Sequence, residues 1–190
     1  MFKKLTLLTL ILFSFAITTN AQLPLSIDIY GGVAGSAFED QESSGTGVVV
    51  GGGLLIDIIP IIDAGAEFNT LVSPFSFEES AEGITAKADV SLTYYGLFGT
   101  FDILPLVAVT GYIRAGVGMY SGTIKIKEPM EFDVDLKSSV GFNAGVGIRT
   151  MIGLYGEFRY NFVNMEEDFE GAASSGYNNW MLVAGYRFGL

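Results

Sequence analysis

"NWMLVAGYRFGL", residues 179–190, decides the fold. Trp180, Leu182, Ala184, Tyr186 and Phe188 fall on one face, and Met181, Val183, Gly185 and Arg187 on the other. Side chains that alternate with period two mark a β-strand with one greasy face and one small or polar face. "GLYGEFRYNF" (153–162) repeats the pattern, setting Leu154, Phe158, Tyr160 and Phe162 against Tyr155, Glu157, Arg159 and Asn161. "VGFNAGVGIR" (140–149) sets Val140, Phe142, Ala144, Val146 and Ile148 against Gly141, Asn143, Gly145, Gly147 and Arg149.

Working toward the N-terminus, the same reading gives strands at 109–122, 90–103, 63–72, 46–58 and 26–37. With the three above they make eight. The strand at 90–103 is the least regular. Val90 and Leu92 lie on the opposite face from Tyr95 and Leu97, which suggests a bulge. The connections alternate in character. "IPI" (59–61), "LPL" (104–106) and "TMIG" (150–153) are short and apolar. "FEDQESSG" (38–45), "FSFEESAEGITAK" (75–87), "KIKEPMEFDVD" (125–135) and "MEEDFEGAASSG" (165–176) read as long acidic loops. Such alternation describes an up-and-down meander with two unlike ends, in one domain.

The first residues stand apart. "MFKK", the apolar run "LTLLTLILFSFAI" and the small residue before Gln22 form a secretory signal peptide, cleaved after Ala21, with the barrel domain at 22–190. Losing Lys3 and Lys4 takes the formal net charge from −11 to −13. That balance argues against nucleic acid as a partner. The chain has neither cysteine nor histidine, which removes disulfides, thiol chemistry and histidine-based catalytic triads. No catalytic constellation, metal-ligand spacing or cofactor motif stands out.

The arginines decide which face is inside. Arg114, Arg149, Arg159 and Arg187 all lie on the small, polar face, together with Asp28, Asp57, Asp63, Glu67, Asp102 and Glu157. The opposite face carries almost no charge within the strands. In a bilayer, backbone groups must pair internally, so strands cross only as a closed barrel with an apolar outer wall. The charges then fill the lumen as a structural network. Glu67, Arg114, Glu157 and Arg159 lie toward mid-strand, and the other six lie toward the turn end. The apolar turns face the periplasm at the membrane edge, both termini share that side, and the acidic loops are extracellular. Tyr95, Phe101, Trp180, Tyr186 and Phe188 are candidates for the interfacial aromatic girdles. Closure brings Asp28 beside Arg187. The inward glycines Gly32, Gly51, Gly53, Gly65, Gly116, Gly118, Gly145 and Gly147 either make room for arginines or leave a water path.

The whole mature chain resembles the small outer-membrane barrels of the OmpA-transmembrane-domain and OmpX/Ail type. Its last strand is similar to that family's C-terminal assembly signal, with Phe188 as the terminal aromatic, followed here by Gly189 and Leu190. The resemblance implies an eight-stranded antiparallel barrel in outer-membrane lipid, recognised by the barrel-assembly machinery through its last strand. It implies a narrow, mostly blocked lumen. The expected role is non-enzymatic: structural, or surface contact with an extracellular partner through the acidic loops. Two alternatives stay open, a porin-like conduit for small solutes and a secreted lipocalin-like binder with the faces reversed.

Overall fold

The computed structural model describes residues 25–36, 46–73, 75–81, 84–106, 108–128, 132–166 and 174–189; the segment read as a signal peptide lies outside them. The strands are β1 (Leu25–Ser36), β2 (Thr46–Ile59), β3 (Ile62–Ser73), β4 (Phe75–Ala81), β5 (Ile84–Pro105), β6 (Val109–Glu128), β7 (Phe132–Thr150), β8 (Leu154–Phe162), β9 (Asn164–Glu166), β10 (Ser174–Gly176) and β11 (Asn179–Gly189). All pairings are antiparallel. The ring runs β1-β2-β3-β5-β6-β7-β8-β11 and closes where β11 meets β1, with Asp28 opposite Arg187. This is a closed eight-stranded up-and-down barrel. The first and last strands begin and end beside the short turns, since Ser26 pairs with Gly189.

The barrel is apolar outside. Leu54, Leu97, Val117, Phe142, Ile148 and Leu182 are all exposed on the outer wall, while Arg114, Glu157 and Arg159 are buried within. This overturns the lipocalin-like alternative, which needs the opposite arrangement. On β5 the apolar wall runs from Tyr95 down to Leu104. At about 3.3 Å per residue along strands tilted about 40°, that is roughly 23 Å, close to the ~25 Å apolar band of a membrane barrel. The match requires the turn to be counted, so the turns belong to the belt. Ile58, Ile59, Ile61, Leu104, Leu106, Met151 and Ile152 are accordingly exposed. The turn between β7 and β8 bends at Gly153, where φ is +90° and a Cβ would lie 2.4 Å from the Arg187 carbonyl oxygen. Only glycine adopts that conformation without strain.

Aromatic residues punctuate the belt. Tyr186 and Phe188 pack with centroids 4.5 Å apart near the turn end, on the same side as Phe101. Tyr160 and Phe162, 4.8 Å apart, lie nearer the other end with the half-buried Trp180 opposite Tyr160. Tyr95 stands at the upper edge of the apolar wall of β5.

Two sequence expectations change. Strand β5 carries no bulge between Val90 and Leu97; its register with β6 is continuous there, and shifts occur only at Lys87/Ala88 and Asp102/Leu104. Val90 and Leu92 do point inward, and both are buried. Above Tyr95 the strand simply changes sense: Thr93 and Ser91 face out where Tyr95 and Leu97 did below. The described residues of the segments at 75–87 and 125–135 are strand rather than loop. Along β6, Ile124 faces the core and Lys125 faces out. Along β7, Leu136 is buried while Asp133 and Asp135 are exposed. Period two therefore continues past the membrane with its outward polarity reversed, as burial demands for a sheet with water outside. β4 and the ends of β5, β6 and β7 away from the short turns extend the sheet beyond the apolar wall. The expected loop at 38–45 lies outside the described residues, as does most of that at 165–176, whose described ends pair as β9 and β10.

Candidate functional site

The lumen is built in layers from the inward residues of all eight strands. At the turn end, Arg187 from β11 binds Asp28 of β1 through both carboxylate oxygens, at 2.8 and 3.1 Å, so the closing seam is an ion pair. Its Nη1 also donates to Asp63 Oδ2 at 2.6 Å. Arg149 from β7 donates to the same oxygen at 3.0 Å and to Asp102 Oδ2 at 3.2 Å. Thr100 adds a third donor to Asp63, at 3.1 Å. Asp63 is thus the hub of the rim. Asp57 is placed differently from the other five rim residues. It sits opposite Asp63 in the β2–β3 register, is exposed, and forms no ion pair with the four arginines among the described residues.

Mid-barrel, Arg159 is 1% exposed. It donates from Nη1 to both oxygens of Glu67, at 3.0 and 3.1 Å, and from Nε and Nη2 to Glu157 Oε1, at 2.8 and 2.6 Å. Arg114 donates to Glu67, lies 3.8 Å from Glu157, and stacks on Phe98 with its guanidinium carbon 3.7 Å from the ring centre. Two arginines therefore balance two glutamates, and each glutamate also accepts a tyrosine hydroxyl. Tyr30 donates to Glu67 and Tyr112 to Glu157, both at 3.0 Å. The satisfied arrangement matters because a buried charge without partners is costly.

Tyrosines and asparagines form most of the remaining polar contacts, and charge-based sequence reasoning missed them. Asn143 donates to Tyr94 at 3.1 Å, Asn69 to Tyr30 at 3.2 Å, Tyr120 to Asn161 at 3.1 Å, and Asn161 to Asn179 at 2.6 Å. The signal was present: Tyr30, Tyr112, Tyr120 and Tyr155 all occupy inward positions. Four of these rings lie over glycines of the neighbouring strand. A Cβ at Gly51, Gly147, Gly141 or Gly185 would come within 2.4–2.7 Å of Tyr30, Tyr112, Tyr120 or Tyr155, respectively. The inward glycines at these positions make room chiefly for tyrosine rings.

Above the asparagines the lumen turns apolar. Val49, Leu71, Leu92, Val163, Met165 and Met181 pack there in one buried cluster. Between the asparagines and this cap lies a cavity of about 10 Å³, lined by Asn69, Tyr94, Asn161 and Met181 among others. That is room for about one water molecule. Among the described residues no group of three or more acidic side chains converges as a cation site, and Asp57, Asp63 and Asp102 do not form one.

A closed ring, an apolar wall and a polar, side-chain-filled lumen together define the fold of a small outer-membrane β-barrel. Solved structures agree. The chain is similar to Neisserial surface protein A, with 12% identity over 87% of this chain and 97% of that one, at a TM-score of 0.64. It is also similar to Ail, the attachment invasion locus protein of Yersinia pestis, in complex with the heparin analogue sucrose octasulfate. There the identity is 18%, over 87% and 99% of the two chains, at a TM-score of 0.57. No protein-family model and no curated protein matches the sequence.

Proposed function

We propose that the chain is an integral, non-enzymatic outer-membrane protein that acts as a structural element of the membrane and as a surface-contact protein. Its turns and both termini face the periplasm, and β4 with the upper ends of β5–β7 stands above the outer leaflet. The carrying observation is the inside-out barrel with a lumen filled from rim to cap. An enzyme needs a group free to react, whereas the four lumen arginines are taken up with Asp28, Asp63, Glu67, Asp102 and Glu157. A conduit needs a continuous water path, and two unlike plugs lie in series, one ionic and one apolar. Function then sits on the extracellular end. Its segments are rich in acid, from Glu39 and Asp40 to Glu166, Glu167 and Asp168, so a basic partner fits by charge.

Membrane fractionation and gel mobility with and without boiling test the barrel. A heat-shifted band in the outer-membrane fraction is expected, and a soluble protein would reject the reading. Single-channel recording in a planar bilayer tests the plug. Silence is expected, and steady conductance would favour the small-solute conduit.

A further inference from the structure

The outer wall carries a feature that neither the belt nor the lumen explains. Just above the belt, β5, β6 and β7 frame an open groove of about 280 Å³, lined by Ser91, Thr93, Ser121, Thr123, Asp135 and Leu136 among others. The local backbone shapes it. Strand β7 carries one extra residue between the pairs Tyr120–Ser139 and Gly122–Leu136. Such a bulge bends the strand and re-aims its side chains.

The lining is a grid. Ser91 faces Thr123 and Thr93 faces Ser121 across the β5–β6 pair, and Asp135 lies next to Thr123 across the β6–β7 pair. Thr123 donates to Asp135 Oδ1 at 3.2 Å. Thr93 shares a hydrogen bond of 3.2 Å with Thr70, extending the hydroxyl row onto β3. Hydroxyls both donate and accept, and a carboxylate offers about four lone-pair sites. No lining residue is a cation and Asp135 would repel phosphate or sulfate within the groove, while Lys125 stands one outward row above it. A neutral ligand bearing many hydroxyls matches the grid: a sugar ring.

Position selects its source. The next outward row below is Tyr95, Met119 and Val140, in register across the same three strands. Tyr95 is half exposed, in the outward row next below the groove. Below it, Leu97 and Val117 continue the lipid-facing wall. A molecule standing in the same leaflet would lay its acyl chains on that wall and its headgroup in the groove. We propose that this groove binds the neutral sugar headgroup of a glycolipid in the outer leaflet. The inference rests on the barrel orientation given above.

The test uses the chain refolded into phosphatidylcholine nanodiscs, with the heat-shifted band checked first. Digalactosyl diacylglycerol, phosphatidylglycerol and free methyl galactoside serve as probes, and amide NMR shifts at Ser91, Thr93, Ser121 and Thr123 as the readout. The glycolipid should give saturable shifts, and the free sugar the same shifts at weaker affinity. Asp135→Asn should weaken glycolipid binding about tenfold, the size of one lost hydrogen bond to a charged group. Ser121→Val provides a second variant away from the carboxylate, with weakening expected. Equal shifts with phosphatidylglycerol, no shifts with the glycolipid, or unchanged binding in both variants would overturn the site. A chain without the heat-shifted band would defeat the barrel reading, and this site with it.

Discussion

Replacing Arg159 by methionine should expose how the central cluster is balanced. Arg159 is the most enclosed charge in the barrel, and it contacts both Glu67 and Glu157. Without it, two glutamates face Arg114 alone, and Glu157 keeps only Tyr112 and an arginine 3.8 Å away. Leaving one buried charge uncompensated costs about 3–5 kcal/mol. The second change, Glu157→Gln, removes the surplus charge and leaves the Arg114–Glu67 contact intact. The double variant should therefore lose only about 1–2 kcal/mol, because a buried ion pair replaced as a whole costs little. Guanidinium unfolding in phosphatidylcholine vesicles measures this, followed by Trp180, the chain's only tryptophan, which lies half-buried on the wall. Costs of the two single changes that add to within about 0.5 kcal/mol in the double variant would refute the balanced unit. So would an Arg159→Met cost below about 1 kcal/mol, since it would mean that water reaches the site.

At the seam, Asp28→Ala and Arg187→Ala should each lower the unfolding temperature, and together by less than the sum; additive shifts would show the pair to be uncoupled. Gly147→Ala should destabilise by about 1–3 kcal/mol through overpacking against Tyr112, and adding Tyr112→Ala should recover part of that loss. Gly156→Ala is the control, since its nearest atom would be 3.9 Å away; an equal loss there would remove the ring-over-glycine explanation. The chain has no cysteine, so single introduced cysteines report the membrane border cleanly. An impermeant maleimide applied to intact cells should label Thr123→Cys and Asp135→Cys and leave Leu97→Cys and Val117→Cys unlabelled, whereas labelling of Leu97→Cys would misplace the belt.

The strand faces were legible because the bilayer imposes one rule on every strand: charge inward, grease outward. That rule located all four arginines and the seam between Asp28 and Arg187. It failed where its premise ended. Val90 and Leu92 looked irregular beside Tyr95 and Leu97 because the solvent outside changes from hydrocarbon to water between Tyr95 and Thr93. The same change made "KIKEPMEFDVD" read as loop, although Ile124, Val134 and Leu136 continue the period of two on the opposite face. Asp57 shares the inward parity and faces Asp63 across the β2–β3 pair, but parity fixes direction and not depth, and at the rim it reaches solvent. The tyrosines were overlooked for a related reason. Charge marks a lumen from the sequence, whereas a tyrosine becomes part of one only when a glycine stands opposite in the register, and register comes from pairing across strands. A reversal of outward polarity within an unbroken period of two is therefore a mark of the membrane border. On β5 it falls within two residues, and on β6 Ser121, opposite Thr93, places it at the same height.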